Sequence, residues 1–178
     1  LTVFPWIRLT QRDPAQRLAL TQRAIHRSFR FFIGQLCALG IMRVSLENAE
    51  RLAEAEGCLV LANHPTLIDV VLMISLMPKA DCVVKQALWQ NPWLGGVVRA
   101  AGYISNSAPE RLVQDCAQAV QGRRPLIIFP EGTRTTPSQP MKFQRGPAHI
   151  ALAAGRPILP VLIDCQPSTL TKDRRWYE

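Results

Sequence analysis

At 178 residues, 48% of them hydrophobic, the chain is most simply one domain with enough apolar content to bury a substantial core. Its five cysteines, at 37, 58, 82, 116 and 165, are odd in number, widely spaced and without a CxxC pair, so they read as reduced core thiols of a cytosolic environment; with only three histidines and no HExxH run, no metal site is expected. The net charge of +8 is uneven, because residues 1–43 carry seven arginines against the single Asp13, a net +6, which leaves +2 for the rest.

The basic arm is apolar between its charges and no nucleic-acid-binding motif follows it, so an anionic membrane surface is the expected partner and nucleic acid is not. Leu1 to Leu9 sets Val3, Phe4, Trp6 and Ile7 beside Arg8, a mixture suited to a membrane–water boundary. The chain begins with Leu rather than Met, and an upstream anchor or targeting segment is left open. From Pro14 to Met42, Leu18, Ala19, Ile25, Phe29, Phe32, Ile33, Leu36 and Leu39 recur at spacings of three and four. This predicts a long helix, or two helices broken near Gly34 or Gly40. The apolar run Phe31 to Met42 is shorter than the roughly 20 residues a span needs. Two readings follow: a segment lying in the membrane interface, favoured by the flanking arginines, or one packed against the globular domain. Residues 1–43 are therefore set apart as a basic, amphipathic, membrane-associating helical segment, and 44–178 as the α/β domain.

Met42 to Leu46 reads as a short strand, and Glu47 to Gly57 as a turn and polar connector. Cys58 to Leu61 reads as a buried strand, stopped by Pro65, which can begin a helix. Leu67 to Met77 is an apolar helix ended by Pro78, and Asp81 to Gln86 a strand carrying Lys85. A short helix opens at Asn91-Pro92 and reaches Ala101, before a strand from Gly102 to Ser105. Pro109 to Gly122 is an amphipathic helix, Leu126 to Phe129 a central strand, Pro147 to Ala154 a helix closed by Gly155, and Ile158 to Ile163 a strand. Strands alternating with helices predict an α/β fold, a mainly parallel sheet flanked by helices. Thr135 to Pro140 is turn-rich and is expected to be a mobile loop beside the site. No repeat period stands out.

Functional groups in such folds collect at the carboxyl ends of strands, where His64, Glu131 and Asn106 all fall. Five residues along a continuous helix would turn Asp69 roughly 140° from His64, but a bend at Pro65 lets the carboxylate fold back to the ring. An aspartate on one imidazole nitrogen fixes the tautomer and leaves the other free to take a proton; a strand-end capping role is the competing reading. In Phe129-Pro130-Glu131-Gly132-Thr133-Arg134, Gly132 allows close backbone approach and Arg134 offers a planar fork to a head group, unless Glu131 and Arg134 simply pair at the surface. Lys142, Arg145 and Gly146 add positive charge and free N–H groups at the next helix. His149 reads as a packing residue, His26 as one of the basic arm, and Trp89 and Trp93 as core or interface residues rather than an acyl tunnel.

In their order, these residues resemble the glycerolipid acyltransferases, including lysophosphatidic acid acyltransferases, over roughly Met42 to Val161. His64-x4-Asp69 is similar to the family's first motif, Gly102 to Asn106 stands at the second, Phe129 to Arg134 matches the third and Leu159-Pro160-Val161 the fourth. The resemblance implies transfer of a fatty acyl group from an acyl carrier protein or coenzyme A thioester, a co-substrate and not a bound cofactor, to a hydroxyl of a membrane lipid. His64 would be the general base and Asp69 its orienting partner, while Glu131, Gly132, Thr133, Arg134 and Asn106 would bind the acceptor. Asn63 or nearby backbone N–H groups would meet the oxyanion, and Lys85, Lys142 and Arg145 are further candidate substrate contacts. The implied location is the cytoplasmic face of the inner membrane, peripheral or monotopic.

One departure bears on the acceptor. The arginine that usually ends the second motif is replaced by Asn106, whose amide offers no bidentate phosphate grip, so a different hydroxylated lipid becomes the expected acceptor unless Arg111, Lys85 or Arg145 compensates. Ala101 to Asn106, Lys142 to Gly146 and Pro167 to Lys172 are similar to bacterial acyltransferase-like proteins associated with aryl polyene lipid synthesis. Two alternatives stay open: a thioesterase or lipid hydrolase that activates water with the same pair, and a non-catalytic lipid-binding module of the same fold.

Overall fold

The structure, a computed structural model, describes residues 3–136 and 139–172. Residues 1–2 and 173–178, at the outer ends of the two expected units, and Pro137 and Ser138 of the expected loop lie outside the described residues. Five parallel strands form one sheet in the order β3-β2-β4-β1-β5, where β1 is Leu59–Ala62, β2 Asp81–Val84, β3 Ile104–Ser105, β4 Leu126–Ile128 and β5 Ile158–Val161. Parallel strands need crossovers, and helices supply them here. Among these are α4 (Asp69–Leu76), α6 (Gly95–Ala100), α7 (Pro109–Gln121) and α8 (Gly146–Ala154).

The period-two alternation of the strands divides the core between the two faces of the sheet. Val60, Ala62, Cys82, Val84 and Ile127 join Met73 and Ile74 of α4, Met77 just after it and Val98 of α6 in one cluster. Leu59, Leu126 and Ile128 meet Cys116, Ala117 and Val120 of α7 and Ile150 and Ala154 of α8 in the other. Both sides of the central strands are thereby dry, which is why they read as continuous apolar runs.

The N-terminal helices belong to the first face. After α1 (Val3–Thr10), Asp13 caps α2 (Pro14–Ala38) by accepting the Ala15 N–H at 3.0 Å. Gly34 does not interrupt α2; the helix ends at Ala38, and just beyond it Gly40, at φ +71°, allows the Ile41 N–H to reach the Leu36 carbonyl and its own N–H the Cys37 carbonyl. Thr21, Gln22, Ile25 and Ile33 bury one stripe of α2, while Phe31, Phe32, Leu39 and Ile41 remain exposed. Packing thus holds α2 chiefly through Thr21, Gln22, Ile25 and Ile33, while other apolar residues at and beyond its carboxyl end are exposed. Among the described residues no helix is long and apolar enough to cross a membrane.

At the amino end of the sheet, Asp81 is fully buried: Oδ1 accepts the Gln22 amide of α2 at 2.7 Å, and Oδ2 lies 3.1 Å from Arg124 Nε as an ion pair without hydrogen-bond geometry. Gln22 also donates to the Ala101 carbonyl at 3.0 Å, so one buried amide ties α2 to two elements of the sheet domain. Burial pushes the Asp81 carboxyl up to about 6, against the opposing pull of Arg124 and Gln22.

Several expectations are corrected. Met42 to Leu46 is not a strand, since it pairs with neither edge of the sheet, β3 or β5; residues 47–57 include a short helix, α3 (Ala49–Ala53). Lys85 lies just past β2, where α5 (Gln86–Trp89) begins at once. Pro65 sits in a loop, and α4 starts at Asp69. Trp93 and His149 are exposed rather than packed, Cys37 is exposed on α2, and His26 is not a free arm residue: its Nδ1 lies 2.9 Å from the Ile74 carbonyl. Cys82 and Cys116 are core thiols that burial pushes up to about 12.

Candidate active site

β1 delivers Asn63 and His64 to the carboxyl edge of the sheet, and the loop Pro65 to Ile68 turns the chain into α4. Asp69, at the first turn of that helix and 2% exposed, folds back so that Oδ2 lies 2.8 Å from His64 Nδ1. The same Oδ2 accepts the Thr66 N–H at 2.7 Å, and Oδ1 accepts the Thr66 hydroxyl at 2.5 Å. Thr66 Oγ1 in turn takes the Ile68 N–H at 3.3 Å, so the loop holds its own carboxylate in place. A carboxylate on Nδ1 makes that nitrogen the proton-bearing one and directs the basic lone pair to Nε2. The histidine side chain is 16% exposed, against 2% for its aspartate partner.

The loop after β4 grips His64 from the neighbouring strand. Glu131, itself buried, accepts the His64 N–H at 3.1 Å through Oε1 and the Thr135 hydroxyl at 2.6 Å through the same atom. Thr135 Oγ1 also lies 3.2 Å from the His64 N–H, and the Thr135 N–H donates to the His64 carbonyl at 2.7 Å. Thr135, expected in a mobile loop, is therefore paired with the backbone of His64. Gly132, at φ +69°, makes the turn possible by letting its N–H reach the Phe129 carbonyl at 3.0 Å.

Arg134 points to a third segment. Its Nη1 donates to the carbonyls of Leu170 at 2.8 Å and Thr171 at 3.0 Å, and the Leu67 N–H meets the same Leu170 carbonyl at 3.2 Å. Residues 167–172 thus form a strap fastened to both site loops. The expected surface pair between Glu131 and Arg134 is absent among the described ion pairs.

Two other expected substrate contacts also face backbone. Asn63 exchanges two hydrogen bonds with Ile163, Nδ2 to the carbonyl at 2.8 Å and N–H to Oδ1 at 2.7 Å, which continues the β1–β5 ladder beyond Ala62 and Val161. Asn106 accepts the Gln86 N–H at 2.9 Å and so caps α5. Thr133 is half-exposed and Gly132 exposed beside the turn. Lys85, Lys142 and Arg145 are exposed at the same edge of the sheet, and among the described residues none forms an ion pair with Asp69 or Glu131. The structure brings together His64, Asp69, Glu131 and Arg134 from the expected set. It adds Thr66 and Thr135, whose only signal in the sequence was a hydroxyl close to each acidic residue, and the strap, which had none.

Residues 43–164 match the protein family described as Acyltransferase. The chain is 26% identical over 158 residues to human 1-acyl-sn-glycerol-3-phosphate acyltransferase beta, covering 85% of this chain and 54% of that protein. It is 33% identical over 111 residues to 1-acyl-sn-glycerol-3-phosphate acyltransferase of Cocos nucifera, covering 58% and 36%. The chain therefore spans about half or less of these relatives' own length. The fold is shared with the crystal structure of the 1-acyl-sn-glycerophosphate (LPA) acyltransferase PlsC from Thermotoga maritima, with a TM-score of 0.74, 20% identity, and coverage of 97% of this chain and 70% of that one.

Proposed function

Because the chain belongs to the Acyltransferase family, we propose that it transfers a fatty acyl group from an acyl thioester to a hydroxyl of a membrane lipid, in the manner of 1-acylglycerol-3-phosphate acyltransferases. The observation that carries this reading is the 2.8 Å contact of Asp69 Oδ2 with His64 Nδ1 at the carboxyl edge of a parallel sheet. Nε2 takes the proton of the acceptor hydroxyl as its oxygen bonds to the thioester carbon. Asp69 stays ionised and balances the imidazolium. When the tetrahedral intermediate collapses, the carbon–sulfur bond breaks and the proton passes from Nε2 to the leaving thiolate, so no acyl-enzyme is required. A positioned base of this kind contributes about 10²- to 10⁴-fold.

The donor is acyl carrier protein or coenzyme A. The acceptor is a hydroxylated lipid whose anionic groups meet the exposed Lys85, Lys142 and Arg145, because Asn106 and Arg134 are engaged with backbone groups. Peripheral attachment to the cytoplasmic membrane face fits the exposed Trp6 and Leu9 of α1, Phe31 and Phe32 of α2 and Leu39 just beyond it, set among arginines. The test is mass-spectrometric: purified protein, membrane lipid extract, and labelled acyl carrier protein or acyl coenzyme A offered separately. A labelled ester supports the reading and identifies the acceptor, whereas label found only as free acid moves the activity to hydrolysis.

A further inference from the structure

One face of the His64 imidazole is covered by the phenyl ring of Phe129, the two rings stacked at 25° with centroids 4.2 Å apart. Phe129 is the first residue beyond β4, which lies directly beside β1 in the sheet, and its ring is half-buried against the core cluster that contains α4. Its carbonyl holds the Gly132 N–H, so the ring is set by the same turn that puts Glu131 on the His64 backbone. Asp69 restrains the ring through Nδ1, at one edge. The stack adds a flat wall that resists tilting of the imidazole plane about that edge contact.

We propose that Phe129 is a positioning residue for His64: its ring fixes the imidazole plane with Nε2 turned to the acceptor hydroxyl, and its π-face supports the imidazolium that forms during transfer. The proposal rests on the acyl-transfer reading above. As the hydroxyl oxygen bonds to the acyl carbon, its proton goes to Nε2, and the ring becomes a cation lying against an electron-rich aromatic face. The charged groups around this ring are Asp69 at Nδ1, Glu131 at the backbone N–H, and Arg134, whose guanidinium is drawn away onto the strap carbonyls. Phe129 is thus the neighbour that acts on the imidazolium through its face. An aliphatic side chain of similar bulk would still exclude water but would lack both the flat wall and the quadrupole.

The experiment compares wild type, Phe129→Leu and Phe129→Tyr in the intact chain, with thermal melting to check the fold, kcat and acceptor KM across pH, and NMR relaxation of the His64 ring carbons without substrate. Phe129→Leu is expected to lower kcat about threefold to tenfold with little change in acceptor KM, and to move the acid limb of the kcat profile about half a pH unit lower. It is also expected to loosen the ring, while Phe129→Tyr restores both rate and ring order. A Leu variant with wild-type kcat, pH profile and ring order overturns the proposal, as does one that changes KM alone. If wild type transfers nothing yet its ring order is lost in Phe129→Leu and kept in Phe129→Tyr, the transfer reading fails and the positioning role stands.

Discussion

Glu131 reaches from the end of β4 to the backbone of His64 on the adjacent strand, its Oε1 accepting the His64 N–H at 3.1 Å and the Thr135 hydroxyl at 2.6 Å. The family resemblance suggests an acceptor-binding residue here, and the geometry gives a loop anchor. Glu131→Ala leaves the buried His64 N–H with Thr135 alone, at a stability cost of about 1–3 kcal/mol, and should lower kcat more than it raises acceptor KM. Glu131→Gln keeps an acceptor oxygen and should recover most of the loss. A variant series that changes only KM, with unaltered melting, assigns Glu131 to the acceptor instead.

Arg134 makes a second prediction through its two carbonyl contacts on the strap. Both bonds come from Nη1, and a lysine ammonium ends one bond short of that position, so Arg134→Lys should loosen residues 167–172 by about 1–2 kcal/mol. Amide hydrogen exchange is the measurement, with faster exchange expected at Leu67, whose N–H shares the Leu170 carbonyl. Unchanged exchange together with a large rise in acceptor KM would show that the guanidinium serves the lipid.

Asp81 makes a prediction about pH that is independent of catalysis. Its carboxyl is pushed up to about 6 in the folded chain, against about 3.9 for an unfolded aspartate. The folded state therefore holds a proton that the unfolded state has lost between those values, so the contribution is complete below about pH 4 and disappears as pH rises through about 6. Asp81→Asn should gain on wild type by about 2–3 kcal/mol between pH 4 and pH 7.5 in denaturant titrations. A difference that stays constant with pH contradicts the assignment.

The strands were legible where burial on both faces left continuous apolar runs, as in Leu59 to Ala62 and Leu126 to Ile128, and the helices where Pro and Gly marked their ends, as at Pro109 and Gly155. Met42 to Leu46 misled because a short apolar alternation carries no information about whether a neighbouring strand exists to bond it. α5 was hidden because four residues are too few to show a helical period. At the site, His64 and Asp69 were legible from their spacing around Pro65, since both groups belong to one short loop. The backbone contacts of Asn63, Asn106 and Arg134 were not, because each reaches a backbone group far away in sequence or across a turn, and backbone groups are the same at every residue.

In the proposed transfer, His64, held by Asp69, is the base that activates a lipid hydroxyl. The most direct measurement is steady-state transfer of labelled acyl groups to the acceptor identified in the lipid extract, by wild type, His64→Ala and Asp69→Asn matched for fold by circular dichroism. His64→Ala is expected to lose at least about 10²-fold in kcat, and Asp69→Asn a comparable amount, because the amide no longer holds Nδ1 as the donor. Transfer by His64→Ala at the wild-type rate would contradict this role for His64.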